Sequence, residues 1–378
     1  MSTVDGRVLV VGGGIAGLAL ARALHLREVP AVVVDRFAGA PDGGLALNLP
    51  GNAVRALGAL RLADGVTGLG RPIRRREYRS ARGRLLFAVD EDAFWGDDAR
   101  PTCMRRSDLL TLLARDLPAG SVRWNSAVRS VQPSPQGVEV AMADGTTGTW
   151  ELVVGADGVH STVRAATLGD PALRAAVLSR ASWRFMVPNP GVDCWSVWSG
   201  AQGTFLLIPT DADIAYGYAS ASRGGHVDAD PEWLRVTFAG FPDPVPQVVA
   251  TVLAERSSLY HSPVEEVRIP RWTQGRVVLI GDAGHATAPV WAQGAALALE
   301  DALVLADLLA TRQDWGQVGV EYERRRRPRV THVQAMTDRF SRAVGLPLWI
   351  RDAILPWAGP RSYREVYGPL QVPASPDI

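Results

Sequence analysis

The sequence predicts an α/β protein: a parallel-sheet domain, interrupted by a mainly antiparallel β-sheet domain and followed by a C-terminal helical segment. Three observations carry this. An apolar run, Val8–Val11, leads into a glycine turn and an apolar-periodic helix near the start of the chain. A second strand–glycine–helix passage, "VVLIGDAGHATAPVWAQGAALALEDA" from Val277 to Ala302, returns to the same pattern late in the sequence. Between them, short aromatic-rich segments with two-residue alternation ("SWRFMVP", "CWSVWSG", "TFLLIP", "DIAYGYAS") occupy roughly 175–267, as expected of antiparallel strands.

In the first turn, Gly12, Gly14 and Gly17 form G-x-G-x-x-G. Gly12 permits the tight turn, Gly14 lets a pyrophosphate approach the backbone, and Gly17 lets helix and strand pack closely. The free N–H groups around Ile15 and Ala16 at the helix start face phosphate charge. A second apolar run, Ala31–Val34, ends in Asp35, 18 residues after Gly17 and near where an acid takes the hydroxyls of an adenosine ribose. Arg36 is the alternative ribose ligand. Strand, helix, second strand and acid together mark a dinucleotide site, with FAD and NAD both open at this point.

Residues 44–58, "GLALNLPGNAVRALG", read as a loop leading into a helix near Asn52. "RRSDLLTLLARDL" (105–117) reads as a helix with Ser107 as N-cap and a stripe of Leu109, Leu112 and Leu113. Arg106 before that cap is, alone, a surface arginine. "ELVVGADGVHSTVR" (151–164) gives a strand, then Gly155, Asp157 and Gly158, and a turn ending at Arg164. By itself Asp157-Gly158 is a turn dipeptide. Residues 71–100 have the texture of the aromatic-rich middle.

In the late passage, strand Val277–Ile280 runs into Gly281-Asp282, Pro289 forces a turn, and Gly294 opens a helix. Its periodicity over Ala295–Ala310 leaves Glu300 and Asp301 on a polar face. Its first N–H groups point forward and favour negative charge. The arginine run at 324–327, flanked by Glu321 and Glu323, reads as a solvated helix face. The tail "PLQVPASPDI" reads as loosely ordered.

Composition bounds the function. A chain of 378 residues, 47% hydrophobic and 21% charged, fits a soluble protein with room for two domains. A net charge of +1 gives no footprint for nucleic acid or a stable membrane association. No signal-type segment and no apolar run of the ~20 residues a membrane helix needs is evident, so the expected location is cytoplasmic. Cys103 and Cys194 offer neither a disulfide framework nor metal-ligand spacing, and no metal is expected. All 40 basic residues are arginine, so no mechanism here uses a lysine.

Gly12-x-Gly14-x-x-Gly17, Asp157-Gly158 and Gly281-Asp282, in this order, are joined by "PxxAQGAxxAxEDA" (289–302) and "YERRRRPR" (322–329). Together they resemble the single-component FAD-dependent aromatic hydroxylases, the group A flavoprotein monooxygenases that include para-hydroxybenzoate (PHBH) and salicylate hydroxylases. The resemblance spans residues 7 to about 330. It implies a Rossmann-like FAD-binding domain of the GR2/PHBH type formed by 1–70, 101–174 and 268–330. It also implies a substrate domain of 71–100 and 175–267, with 331–378 as helical segment and tail.

The resemblance further implies that the first turn holds the ADP half of FAD and that Asp282 binds the ribityl chain. Arg106 would also contact the cofactor, while Asp157 and Arg164 would support FAD and a transient NADPH or NADH. Pro289 would lie by the flavin ring, with the N–H groups around Gly294 and Ala295 facing N1 and the C2 carbonyl. Such donors suit the negative charge of reduced flavin. The implied reaction uses NAD(P)H and O2 to hydroxylate or epoxidise an aromatic or polyketide-like small molecule through a flavin C4a-hydroperoxide.

Two departures bear on the substrate pocket: Trp291 stands where the family usually has a smaller residue, and Phe185 replaces the glycine of a "WRG" segment. Trp291 is a candidate wall of the oxygen-transfer cavity, and Arg184 a candidate partner for a carboxylate or phenolate. Tyr216, Tyr218, His226 and His261 are candidate bases, although lone residues of these types in a sheet are more commonly core or surface. The alternative reading is a non-oxygenating flavoprotein that binds or cyclises a biosynthetic intermediate. A flavin-dependent halogenase is disfavoured by the missing lysine and by Trp195 and Trp198 standing as W-x-x-W.

Overall fold

A computed structural model describes residues 4–39, 45–134, 137–168, 174–175, 181–222, 226–344 and 346–374. Gly44 and the last four residues of the tail lie outside them. The main sheet runs in the order Thr273–Gln274, Val277–Leu279, Thr147–Gly155, Val4–Val11, Ala31–Val34, Val122–Arg123. An antiparallel ribbon, Val128–Ser134 with Gly137–Met142, joins it at Thr147–Gly155. The central pairings are parallel, with Val11 opposite Gly155 and Gly155 opposite Leu279. Parallel strands end on the same side, so three turns far apart in sequence emerge side by side. They are Gly12–Gly14, Asp157-Gly158 and Gly281-Asp282, at the strand ends where ligands of open α/β sheets bind.

Two helices pack on this sheet, Ile15–His25 and Gln293–Thr311. A Cβ at Gly281 (φ +56) would stand 3.0 Å from Ala16 Cβ on the first and 3.3 Å from Ala298 Cβ on the second, so their N-terminal turns meet there. The second helix is apolar almost all round, which is the mark of a buried helix.

That burial corrects two expectations. Glu300 and Asp301 are not on a solvated face; they are 2% and 0% exposed. Arg326, inside the basic run, reaches Glu300 at 2.9 Å and Asp301 at 2.7 Å, and Arg329 reaches Glu300 at 2.7 Å. The helix Val318–Val344 turns residues 322, 326 and 329 inward together, while Arg324 pairs with Glu321 at the surface.

The second sheet has the order Tyr260–Pro263, Ala181–Pro188, Ile214–Ala221, Gly203–Pro209, Trp195–Ser199, Arg75–Ser80, Leu85–Asp90. Its pairings are antiparallel except Trp195–Ser199 with Arg75–Ser80. Strand alternation divides its side chains into two faces. Trp183, Phe185, Val187, Phe205 and Leu207 pack under helices Glu232–Phe238 and Val245–Ala254. Arg184, Met186, Leu206, Tyr216 and Tyr218 lie on the other face, where Met186, Leu206 and Tyr216 pack beside Ala46, Ile73 and Cys103. Phe185 therefore fills the outer core and not the substrate pocket: its ring occupies the space a side chain at Gly217 would need.

Three further boundaries differ from expectation. The stretch read as a loop before Asn52 contains a strand, Ala46–Leu49, paired with Thr102–Arg105. The helix at 106 is capped by Arg105, not Ser107, and Arg106 is its first residue. The tail is pinned at its start: Leu370 is buried, and Arg329 donates to the carbonyls of Pro369, Leu370 and Val372. Among the described residues no helix is long and apolar enough to cross a membrane.

Candidate functional site

At the edge where the three turns meet, a cleft of about 190 Å³ is lined by Gly12, Gly14, Asp35, Arg36, Asp157 and His160, among others. Gly12 has φ +113, and a Cβ there would overlap the Ala156 carbonyl oxygen; at Gly17 it would overlap the Gly12 oxygen. At Gly14 nothing lies within 4 Å. Two glycines are thus required by the fold, and the third leaves open space in front of a helix N-terminus. Gly14 is the helix N-cap, so the N–H groups of Ile15 and Ala16 have no intrahelical acceptor. This cradle fits a pyrophosphate.

Asp35 sits at the mouth of the cradle. Its carboxylate accepts from Gly13 N at 2.6 Å and Phe37 N at 2.8 Å, which leaves further lone pairs for a ribose. Arg36 lies over the Phe37 ring. Asp157 turns back on its own helix, accepting from Ser161 Oγ and from the N–H groups of Thr162 and Val163. Arg164 is a strut between two turns: it donates to Ala283 O at 2.9 Å and Val159 O at 2.7 Å.

The late turn is held by a buried network that the sequence did not announce. Asp301 accepts from Gly281 N at 2.9 Å and Arg326 Nε at 2.7 Å, and shares a 2.7 Å hydrogen bond with His285 Nε2. Burial pushes Asp301 upward, but His285 and Arg326 outweigh it and hold the carboxyl well below the usual range. Asn52 adds a second tie, donating to Gln293 and Glu300. The available signal was opposite charge on two apolar-flanked helices, in "LEDA" and "YERRRRPR".

Asp282 follows Gly281 and is exposed to solvent. Protein nevertheless surrounds it so closely that burial is the largest influence on its carboxyl and raises its pKa, against the pull of His285, Arg106 and Arg184. An accessible carboxylate deep within protein marks the floor of a cleft. Gly294 stands over it, its side-chain position 3.9 Å from Asp282 Oδ1. Helix Gln293–Thr311 begins there from Ala292, a non-glycine residue at φ +53, and Tyr367 fixes the turn by donating to Trp291 O at 2.7 Å.

Arg106, at the start of the helix after strand Thr102–Arg105, and Arg184, on the second sheet, both lie within electrostatic reach of Asp282. Burial lowers the pKa of Arg106, Asp282 raises it and Arg184 lowers it further. Arg184 stands opposite Tyr218 and Tyr260 across its neighbouring strands, and its Nε is buried without a partner among the described residues. Burial drives Tyr216 up to about 12 and raises Tyr218 as well, so both are neutral phenols near pH 7 and not bases. His261 lies tilted against Trp183 on the far face, and His226 is exposed. None of the four candidate bases is placed to act as one.

Trp291 lies in the interior. Its indole is 7% exposed, edge-on to Phe340 and Tyr367, so it is a packing residue as well as a neighbour of exposed Pro289. Its N–H has no acceptor among the described residues. No group of His, Cys, Asp or Glu among them could hold a metal ion.

The upward shift of the Asp282 carboxyl gives a first expected result. A carboxyl with a raised folded pKa contributes stability that is complete below the unfolded value of about 3.9. It is lost as pH rises through the folded value. Cofactor-free Asp282→Asn should therefore melt higher than wild type at pH 8, with the gap closing toward pH 4. A variant melting lower at pH 8 contradicts this electrostatic reading.

Known proteins repeat this arrangement. The family described as FAD binding domain matches residues 5–337. The chain is 32% identical to 3-amino-4-hydroxybenzoate 2-monooxygenase of Streptomyces cremeus, covering 91% of this chain and 89% of that one. It is 29% identical to 2-heptyl-3-hydroxy-4(1H)-quinolone synthase of Pseudomonas aeruginosa, covering 94% and 91%. Klebsiella pneumoniae HpxO complexed with FAD and uric acid superposes with a TM-score of 0.81 at 26% identity, over 97% of this chain and 92% of that chain.

Proposed function

This chain belongs to the FAD-binding domain family, among the single-component FAD-dependent monooxygenases, and from that premise we propose its reaction and the roles of its residues. It uses NAD(P)H and O2 to insert one oxygen atom into an aromatic or polyketide-like small molecule that carries an anionic or strongly polar oxygen. The observation that carries this reading is that the three glycine turns emerge at one edge of the main sheet, with Asp282 on the third within electrostatic reach of Arg106 and Arg184, and Arg184 within reach of Tyr216 and Tyr218 on the second sheet.

Bound FAD supplies the hydride acceptance and oxygen activation that no side chain here could provide. Gly14 and the N–H groups of Ile15 and Ala16 receive the pyrophosphate, and Asp35 or Arg36 the adenosine ribose. Arg106, Asp282 and Gly281 receive the ribityl side, and Pro289, Gly294 and Ala295 bound the ring. The N-terminus of Gln293–Thr311 stabilises negative charge placed before it. Asp157 and Arg164 hold the turns in register.

Arg184 orients the substrate. Its buried, unpartnered Nε is a donor waiting for an acceptor, and the neutral phenols of Tyr216 and Tyr218 complete a polar wall. The test is NAD(P)H consumption with aromatic acids, phenols and polyketide phenols, followed by stopped-flow reduction. A true substrate should accelerate flavin reduction. With that substrate, Arg184→Leu should raise its Kd about 10–100-fold, as for loss of a charge-assisted hydrogen bond, with FAD occupancy unchanged. An unaltered Kd would remove Arg184 from the site.

A further inference from the structure

The strand Ala46–Leu49 turns Ala46 and Asn48 to one face, opposite Cys103 on Thr102–Arg105. That face looks at the second sheet: Ala46 and Cys103 share an apolar cluster with Trp195, Val197 and Ile208, against which Met186, Leu206 and Tyr216 pack partly exposed. Asn48 is therefore directed between this strand pair and the second sheet, on the face it shares with Cys103. It is 7% exposed, and neither its amide nitrogen nor its amide oxygen has a hydrogen-bond partner among the described residues.

A buried amide with both ends empty is costly, because desolvation of each end is uncompensated. Leucine or valine would fit this apolar setting, beside Cys103 and the cluster of Val197 and Ile208, without that cost. Polar groups left unsatisfied in a free enzyme are satisfied when a ligand arrives. We propose that Asn48 is a substrate-recognition residue that pairs with an adjacent donor and acceptor, such as the H–N–C=O edge of a lactam or cyclic amide.

The chemistry follows from the amide. A lactam edge gives its N–H to Asn48 Oδ1 and accepts from Nδ2, so both orphaned atoms are met in one contact. A carboxylate satisfies only the nitrogen and sets its second oxygen against Oδ1. An N-alkylated lactam leaves Oδ1 empty. Anionic groups thus go to Arg184, and the paired donor–acceptor edge to Asn48. This deepens the proposed monooxygenase reading by naming a substrate class for the same cleft.

The experiment compares wild type with Asn48→Leu as FAD-loaded protein, using quinolin-2(1H)-one and N-methylquinolin-2(1H)-one as probes. Melting is recorded without probe, and dissociation constants come from calorimetry. Wild type should bind the lactam at least about 10-fold more tightly than its N-methyl analogue. Asn48→Leu should melt at or above the wild-type temperature and bind the two probes with a ratio near one. A lower melting temperature shows that the amide serves the fold and overturns the proposal. An unchanged binding ratio in Asn48→Leu, or no binding of the lactam to wild type, also overturns it. These readouts need no turnover, so absence of oxygenation contradicts the reaction assigned to the cleft and leaves the recognition by Asn48 to be judged by itself.

Discussion

Gly14→Val should give a folded, colourless protein. The position has extended backbone (φ −83, ψ −167), and no atom lies within 4 Å of a Cβ built there, so valine is accommodated in the empty cradle. Its methyl groups then occupy the space a pyrophosphate needs in order to reach the helix N-terminus. Loss of a glycine N-cap should lower stability by only about 1 kcal/mol. FAD affinity should fall at least 100-fold, read by titrating cofactor-free protein and following flavin fluorescence. Circular dichroism reports the fold separately. Gly12→Val is a poorer test, because its Cβ meets the Ala156 carbonyl and the protein would lose flavin by losing the turn. A yellow Gly14→Val protein with wild-type affinity would mean that the pyrophosphate lies elsewhere.

Trp291 carries the second large effect. The ring packs against Phe340 and Tyr367, and its unpaired N–H lies on the turn that begins with Pro289. Trp291→Ala removes a buried aromatic, which typically costs 3–5 kcal/mol. The Tyr367 hydrogen bond to the residue-291 carbonyl survives, but that tyrosine loses the ring packed against it. If reacting groups move by ~1 Å, oxygen transfer slows on the order of 100-fold. Trp291→Phe preserves most of the packing and deletes the N–H donor. Both variants should keep substrate-stimulated flavin reduction, while NAD(P)H consumption yields a growing share of hydrogen peroxide over hydroxylated product, more for Ala than for Phe. Equal coupling in wild type and both variants would leave Trp291 a packing residue alone.

These expectations show which features were legible in the chain. Glycines announce themselves because a turn or a close approach tolerates nothing else, so Gly12, Gly14, Gly17 and Gly281 could be placed from spacing. That the three turns share an edge comes from the parallel pairing of the strands that lead into them. Charge was less legible. Glu300, Asp301 and Arg326 look like surface residues in any local window, and only the apolar surroundings of both helices reveal that the charges compensate one another in the interior. Buried charges of this kind are costly singly and tolerable together.

The substrate side was least legible. Phe185 appeared to intrude on the pocket, yet strand alternation sends it to the opposite face, over Gly217. Asn48 gave no local signal, because an asparagine before a Pro-Gly turn reads as loop chemistry. Its interest arises only from tertiary structure, which buries it between two sheets and offers it no partner. Tyr216 and Tyr218 looked like bases until burial set their protonation.

The most direct test is the origin of the oxygen. With a substrate identified by stimulated flavin reduction, turnover under 18O2 in unlabelled water should give product heavier by one labelled atom, with one NAD(P)H consumed per product when coupling is complete. Product that is unlabelled under 18O2, or that takes its label from H2 18O, would contradict oxygen insertion by this protein.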